Sequence, residues 1–103
     1  MIEPEDCTNM AEVRAGVDAL DEDLVALLGK RMRFMDAAAR IKPRREDVRD
    51  EERKAAVIAH AKAVAARVGF PPEVVAQLYE TLVEASIAYE LERFDALVRD
   101  RSG

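Results

Sequence analysis

From Asn9 to Lys42 the chain carries no proline, and its apolar residues recur at alternating steps of three and four. Met10, Val13, Val17, Leu20, Leu24 and Leu27 are followed in the same register by Phe34, Ala38 and Ile41. This is a heptad seam, and it predicts one helix from near Asn9 to the break at Pro43. Asn9 and Glu12 have the spacing of a capping box, with Asn in place of the usual Ser or Thr. Gly16 and Gly29 each weaken the helix by ~1 kcal/mol relative to alanine, yet the seam continues through both. A helix of about 32 residues is ~48 Å long, against a radius of gyration of ~13 Å for a compact domain of this size. Much of such a seam stays exposed unless a partner covers it. A homodimer is the economical expectation. The other reading is a helix folded back on itself at Gly29.

The rest of the chain divides simply. Pro43 ends the first helix, and residues 43 to 49 read as a polar link. A second helix is predicted to start near Val48 to Asp50 and to run to about Val68. Val57, Ile58, Ala61, Val64 and Val68 lie on one side of it, and Gly69 stops it in the manner of a C-terminal cap. Phe70 can pack at the turn. Pro71, Pro72 and Glu73 suit the first turn of a third helix that runs to about Arg99. With 36% charged residues, 5% aromatics, four Gly and four Pro, the 103 residues read as a single all-α domain. Sixteen Lys and Arg against 21 Asp and Glu give a net charge of −5, which argues against a general nucleic-acid backbone binder. A single Cys and a single His exclude an internal disulfide framework and a Cys/His zinc site. No apolar run approaches the ~20 residues of a membrane span. The acidic stretch from Ile2 to Asp6 lacks the basic and apolar regions of a signal peptide, so a soluble cytoplasmic protein is expected.

The informative residues are those that break the pattern. The seam calls for an apolar residue at position 31, and Arg31 stands there. A guanidinium at a core position needs an acceptor or it is costly. Lys42 follows eleven residues later, close to three full turns, so the two cations share a face ~16 Å apart. A pocket along that face would be doubly cationic. On spacing alone, the competing reading pairs Arg31 with a buried acid and lets Lys42 fray into solvent. Arg14 is rotated about 100° from that face, so it lines a pocket only across a dimer seam. Otherwise it is a solvated arginine. Seven of the 16 basic residues fall between Arg40 and Lys54, but acids are interleaved and no aromatics accompany them for base stacking. A small anion held by a few arginines fits better than RNA or DNA. On the third helix, Leu78, Leu82, Ala85 and Tyr89 form one apolar stripe. Val83, Ile87, Leu91, Phe94 and Val98 form another. Ser86 and Glu90 lie between them, one turn apart. A helix apolar on two sides is central, which predicts partial burial of Glu90. Burial favours the neutral form of a carboxyl group and a nearby cation favours the charged one. A structural ion pair with Arg93 or a basic residue of the first helix would also explain Glu90. Cys7, in a flexible acidic leader, and His60, on an alanine-rich surface, have no visible catalytic partner.

Taken in order, these residues resemble the all-helical chorismate mutase family over essentially the whole chain. The leader Pro4-Glu5-Asp6-Cys7-Thr8, Val13-Arg14 and Val17-Asp18-Ala19-Leu20-Asp21 are similar to the branch that includes the isochorismate pyruvate lyases. Leu27-Leu28-Gly29-Lys30-Arg31-Met32, the spacing to Lys42, and Val48-Arg49-Asp50-Glu51-Glu52-Arg53 also fit. The resemblance implies an intertwined dimer of three-helix subunits whose two sites each borrow a residue from the partner. By position, Arg14 would enter the neighbour's site and bind a substrate carboxylate, and Arg31 would hold a carboxylate in its own subunit. Lys42 would contact the enolpyruvyl carboxylate and the ether oxygen. Asp50 and Arg53 match the segment that closes over the substrate and contacts its hydroxyl. Ser86 matches a contact to a ring carboxylate, and Glu90 falls where many members carry a glutamine facing the ether oxygen. Two departures stand out. Where some members have a hydroxyl-binding acid, this chain has Lys54, which leaves the hydroxyl to Asp50 or the backbone. In place of glutamine it has Glu90, which donates a hydrogen bond only when protonated.

The implied reaction, chorismate to prephenate by a Claisen rearrangement, requires no nucleophile, metal or cofactor. Arginines gripping two carboxylates hold the dianion in its reactive conformation, while Lys42 and Glu90 stabilise charge developing on the ether oxygen. The resemblance admits isochorismate pyruvate lyase as a second activity of the same cationic pocket. A rival of another class is a non-catalytic helical module that regulates a partner enzyme.

Overall fold

The computed structural model describes residues 2–102, apart from the side chain of Ser102. Three helices make up almost all of it: α1 (Met10–Ile41), α2 (Glu51–Val68) and α3 (Pro72–Ser102). The described residues contain no strand. None of the helices is long and apolar enough to cross a membrane. The chain forms two compact units, one ending at Arg33 and one beginning at Phe34, so the boundary falls within α1.

In the first unit, α1 begins where the capping spacing places it. The Glu12 amide donates to Asn9 Oδ1 at 2.9 Å, and Asn9 Nδ2 donates to Glu12 Oε1 at 2.9 Å. The box is wider than expected, because the Thr8 amide and hydroxyl also donate to Glu12 Oε1, at 3.0 and 2.8 Å. These Thr8 donors hold the half-buried Glu12 carboxyl below its ordinary range. The leader is not the flexible tail the sequence suggested. Pro4–Asp6 form a turn of 3-10 helix, with the Asp6 amide on the Glu3 carbonyl at 3.0 Å and the Cys7 amide on Pro4 at 3.3 Å. Pro4 and Cys7 face Val13, Val17 and Leu20 across an apolar groove of about 380 Å³. Along the seam, Met10, Val17, Leu20, Leu24 and Leu27 stay exposed. Helix α1 passes through Gly16 and Gly29 without a break, which removes the folded-back alternative.

The second unit carries its own core. Ala39, Val48, Val83, Ile87 and Phe94 are buried together, with Val57, Tyr79, Leu91 and Leu97 packed against them. Helices α2 and α3 run antiparallel: Lys54 meets Glu80 and Glu84 near one end, and Lys62 meets Glu73 near the other. The turn between them is a Schellman closure. Gly69 takes φ of 80°, which a side chain would strain. The Phe70 amide reaches Ala65 O at 2.8 Å, and the Gly69 amide reaches Ala66 O at 3.4 Å. Pro71 caps α3 through its carbonyl, which accepts from Val74 at 3.1 Å, and Pro72 opens the helix.

Three expectations need adjusting. The polar link contains a turn of 3-10 helix at Arg45–Asp47, and Val48 after it is core rather than the start of α2. On α2, Val68 is exposed and Ala65 is the buried residue. Of the two stripes on α3, the one with Val83, Ile87 and Phe94 makes the core, while Leu78 of the other stripe remains exposed, as does Val98 at the end of the first. Tertiary packing favours the face that meets both Ala39 of α1 and Val57 of α2.

Candidate active site

Glu90 sits on the buried face of α3 at 3% exposure, and Ser86 lies one turn before it at 4%. Ser86 Oγ donates to the Leu82 carbonyl at 2.8 Å, a bond within the helix. A carboxyl group at this depth is costly without a counter-charge. Lys42 supplies one, its Nζ 2.8 Å from Glu90 Oε2. The contact is electrostatic rather than directed: Oε2 receives no hydrogen bond of acceptable geometry despite that distance. Lys42 Nζ also approaches the Val48 carbonyl, at 3.5 Å. Its side chain keeps 30% of its surface exposed against 5% for that of Glu90, so the cation is the more accessible of the two.

Two readings of these residues are corrected here. Lys42 does not fray into solvent. Its amide continues the helical pattern onto the Ala38 carbonyl at 2.9 Å, and its ammonium turns inward. Arg93 is not the partner of Glu90. Its Nε lies 3.2 Å from Asp36, which also accepts from the Tyr89 hydroxyl at 2.7 Å. That carboxylate holds the Tyr89 hydroxyl above its usual range.

Asp50 and Arg53 lie together at the start of α2, both exposed. Asp50 is the N-cap, and its Oδ1 accepts from the Arg53 amide at 3.0 Å, so one oxygen is committed to the helix. Lys54 has a structural role. Its Nζ bonds Glu80 at 2.6 Å and Glu84 at 2.8 Å, and only 16% of its side chain is exposed. In the first unit's part of α1, Arg14 is exposed and Arg31 is half-buried. The structure thus brings Lys42, Ser86 and Glu90 into one neighbourhood, and Asp50 and Arg53 into another at the N-terminal end of α2.

Several participants had escaped sequence reasoning. The Val48 carbonyl carries no side-chain signal at all. Glu80 and Glu84 were visible as acids one turn apart on α3, but their partners Arg49 and Lys54 lie some 30 residues away. Arg49 Nη2 meets Glu84 Oε1 at 2.7 Å. Beside Arg49 and Lys54, the Glu84 carboxyl is pulled down to about 2. Arg45 forks onto Asp95 at 2.9 and 3.3 Å and lowers that carboxyl as well.

Comparison with known proteins identifies the family of the chain. Residues 13–91 match the family described as chorismate mutase type II, a span that encloses every residue from Arg14 to Glu90 named above. The chain is also similar to an isochorismate pyruvate lyase of Pseudomonas aeruginosa, 33% identical over 89 residues that cover 86% of this chain and 88% of that protein. On this likeness and on its three-helix fold, the chain belongs to the type II chorismate mutase family.

Proposed function

We propose that the protein is a chorismate mutase that converts chorismate to prephenate, a step toward aromatic amino acids, and that it works as a homodimer. The observation that carries this reading is the Lys42–Glu90 pair: an ammonium 2.8 Å from a carboxyl group at 3% exposure. In the rearrangement the ether C–O bond breaks as a C–C bond forms within one molecule, and negative charge grows on the ether oxygen. A cation and a neutral acid facing that oxygen are the groups the step uses. In the structure Lys42 is the ionic partner of Glu90. A bound dianion would take over that role, and Glu90 would hold a proton and donate it to the ether oxygen as a hydrogen bond. Arg31, and Arg14 from a second copy, would grip the carboxylates. Asp50, with one oxygen beyond its cap, and Arg53 would close over the ring hydroxyl, and Ser86 would meet the ring carboxylate. The exposed seam of Met10, Leu20, Leu24 and Leu27 supports the second copy.

A second reading has its own support, the likeness to the Pseudomonas aeruginosa isochorismate pyruvate lyase. The same pocket would then expel pyruvate from isochorismate and leave salicylate. Parallel assays with chorismate and isochorismate, following prephenate and salicylate, separate the two by relative kcat/KM. Dominant prephenate formation is expected, and dominant salicylate formation would reassign the chain to the lyase. Turnover that disappears in Arg31→Ala excludes a non-catalytic regulatory module. No turnover of either substrate by the intact protein would contradict both enzyme readings.

A further inference from the structure

Away from the Lys42–Glu90 pair, two cations, Arg49 and Lys54, converge on Glu84. Arg49 holds both of its oxygens, with Nη2 on Oε1 at 2.7 Å and Nη1 on Oε2 at 3.1 Å. Lys54 Nζ adds a bond to Oε2 at 2.8 Å and another to Glu80 at 2.6 Å. Isolated surface pairs contribute little, but a forked arginine within a network of charges has fixed geometry. What that geometry fixes is the residue before Arg49. The Val48 side chain is buried in the core at 4% exposure, and its carbonyl faces Lys42 Nζ at 3.5 Å. On the other side of Val48, Arg45 is forked onto Asp95. Two ionic clamps onto α3 therefore flank one carbonyl. That carbonyl and Glu90 are the two groups against which the Lys42 ammonium rests.

We propose that Glu84 is a positioning residue for the reaction: by gripping Arg49 and Lys54 it fixes the Val48 carbonyl, which aims the Lys42 ammonium at the ether oxygen beside Glu90. The kinetic part rests on the chorismate mutase reading. Glu84 touches no substrate. It acts because the clamp sets the placement of a cation whose value depends on its position, and misplacement by ~1 Å can cost up to ~10²-fold in rate.

The test uses the full chain with Glu84→Gln, which keeps the shape and removes the charge, and Arg49→Lys, which keeps the charge and removes the fork. Lys62→Gln serves as a control, because it breaks a surface pair with Glu73 at 3.5 Å away from the clamp. Glu84→Gln is expected to lower kcat for chorismate about tenfold while KM changes by less than about twofold, the pattern of a lost transition-state contact. Arg49→Lys should lower kcat about threefold and Lys62→Gln should change nothing. In a Lys42→Ala background, Glu84→Gln should cause no further loss, since the two residues act in series. Hydrogen exchange at the Asp47 and Val48 amides, which donate to the Arg44 and Arg45 carbonyls at 3.1 Å, should quicken in Glu84→Gln. Unchanged kcat for chorismate would overturn the proposal whatever the exchange shows, and so would an equal loss in the Lys42→Ala background. If the intact protein turns over neither substrate, the functional reading fails separately. The exchange measurement then decides alone whether Glu84 holds this segment, and unchanged exchange overturns that too.

Discussion

The two compact units of this chain solve opposite problems. The unit beginning at Phe34 buries Val48, Val83, Ile87 and Phe94 against one another and joins α2, α3 and the link between α1 and α2 by ion pairs. The unit ending at Arg33 has well-made ends, a capped helix start and a 3-10 turn, but its apolar seam faces outward, with Leu27 63% exposed. One unit has its partners in the same chain. The other leaves its apolar residues Met10, Leu20, Leu24 and Leu27 exposed. An apolar stripe therefore says that something must cover it, and the rest of the sequence decides whether the cover is internal.

Core and seam should respond differently to truncation. Phe94→Ala should destabilise the protein by about 3–5 kcal/mol, read by denaturant unfolding, because it empties a site at 8% exposure. The loss should be independent of protein concentration. Leu20→Asp combined with Leu24→Asp should act through association, converting a dimer to monomers in sedimentation and lowering activity at least about tenfold through loss of Arg14 from the neighbouring site. A dimer that survives both charges would break the comparison.

Much of this division was legible in the sequence. The step of three and four from Met10 to Ile41, the Asn9–Glu12 spacing, Gly69 and Pro72 set the helices to within a few residues. The position of Glu90 between two stripes foretold its partial burial, and it is buried at 3% exposure. What stayed hidden depended on contacts distant in sequence. Lys54 could not be assigned until Glu80 and Glu84 lay opposite it. Residue types do not reveal that Lys42 would turn inward to Glu90 while Arg93 turned to Asp36, since both cations are within reach of an acid. The 3-10 turn at Arg45–Asp47 followed from neither periodicity nor proline. It places Val48 in the core and is accompanied by the Arg45–Asp95 fork.

Smaller effects sharpen the same contrast. Glu84 has a carboxyl value near 2 in the folded chain against 4.5 for the free group. Its stabilising contribution is therefore complete above about pH 4.5 and disappears as pH falls toward 2. Acid unfolding of the wild type should steepen in that window, and Glu84→Gln should remove part of the slope. In the first unit, Asn9→Ala should cost about 1 kcal/mol and speed exchange of the Glu12 amide, leaving amides of α2 unchanged.

The claim that Glu90 works as a protonated donor beside Lys42 is tested most directly by the pH dependence of kcat with chorismate, for the wild type and for Glu90→Gln. Glutamine donates at every pH, so the account predicts a wild-type rate that falls as pH rises through loss of the Glu90 proton in the bound complex, and a flat alkaline limb in the variant. An alkaline limb unchanged by the substitution would contradict it.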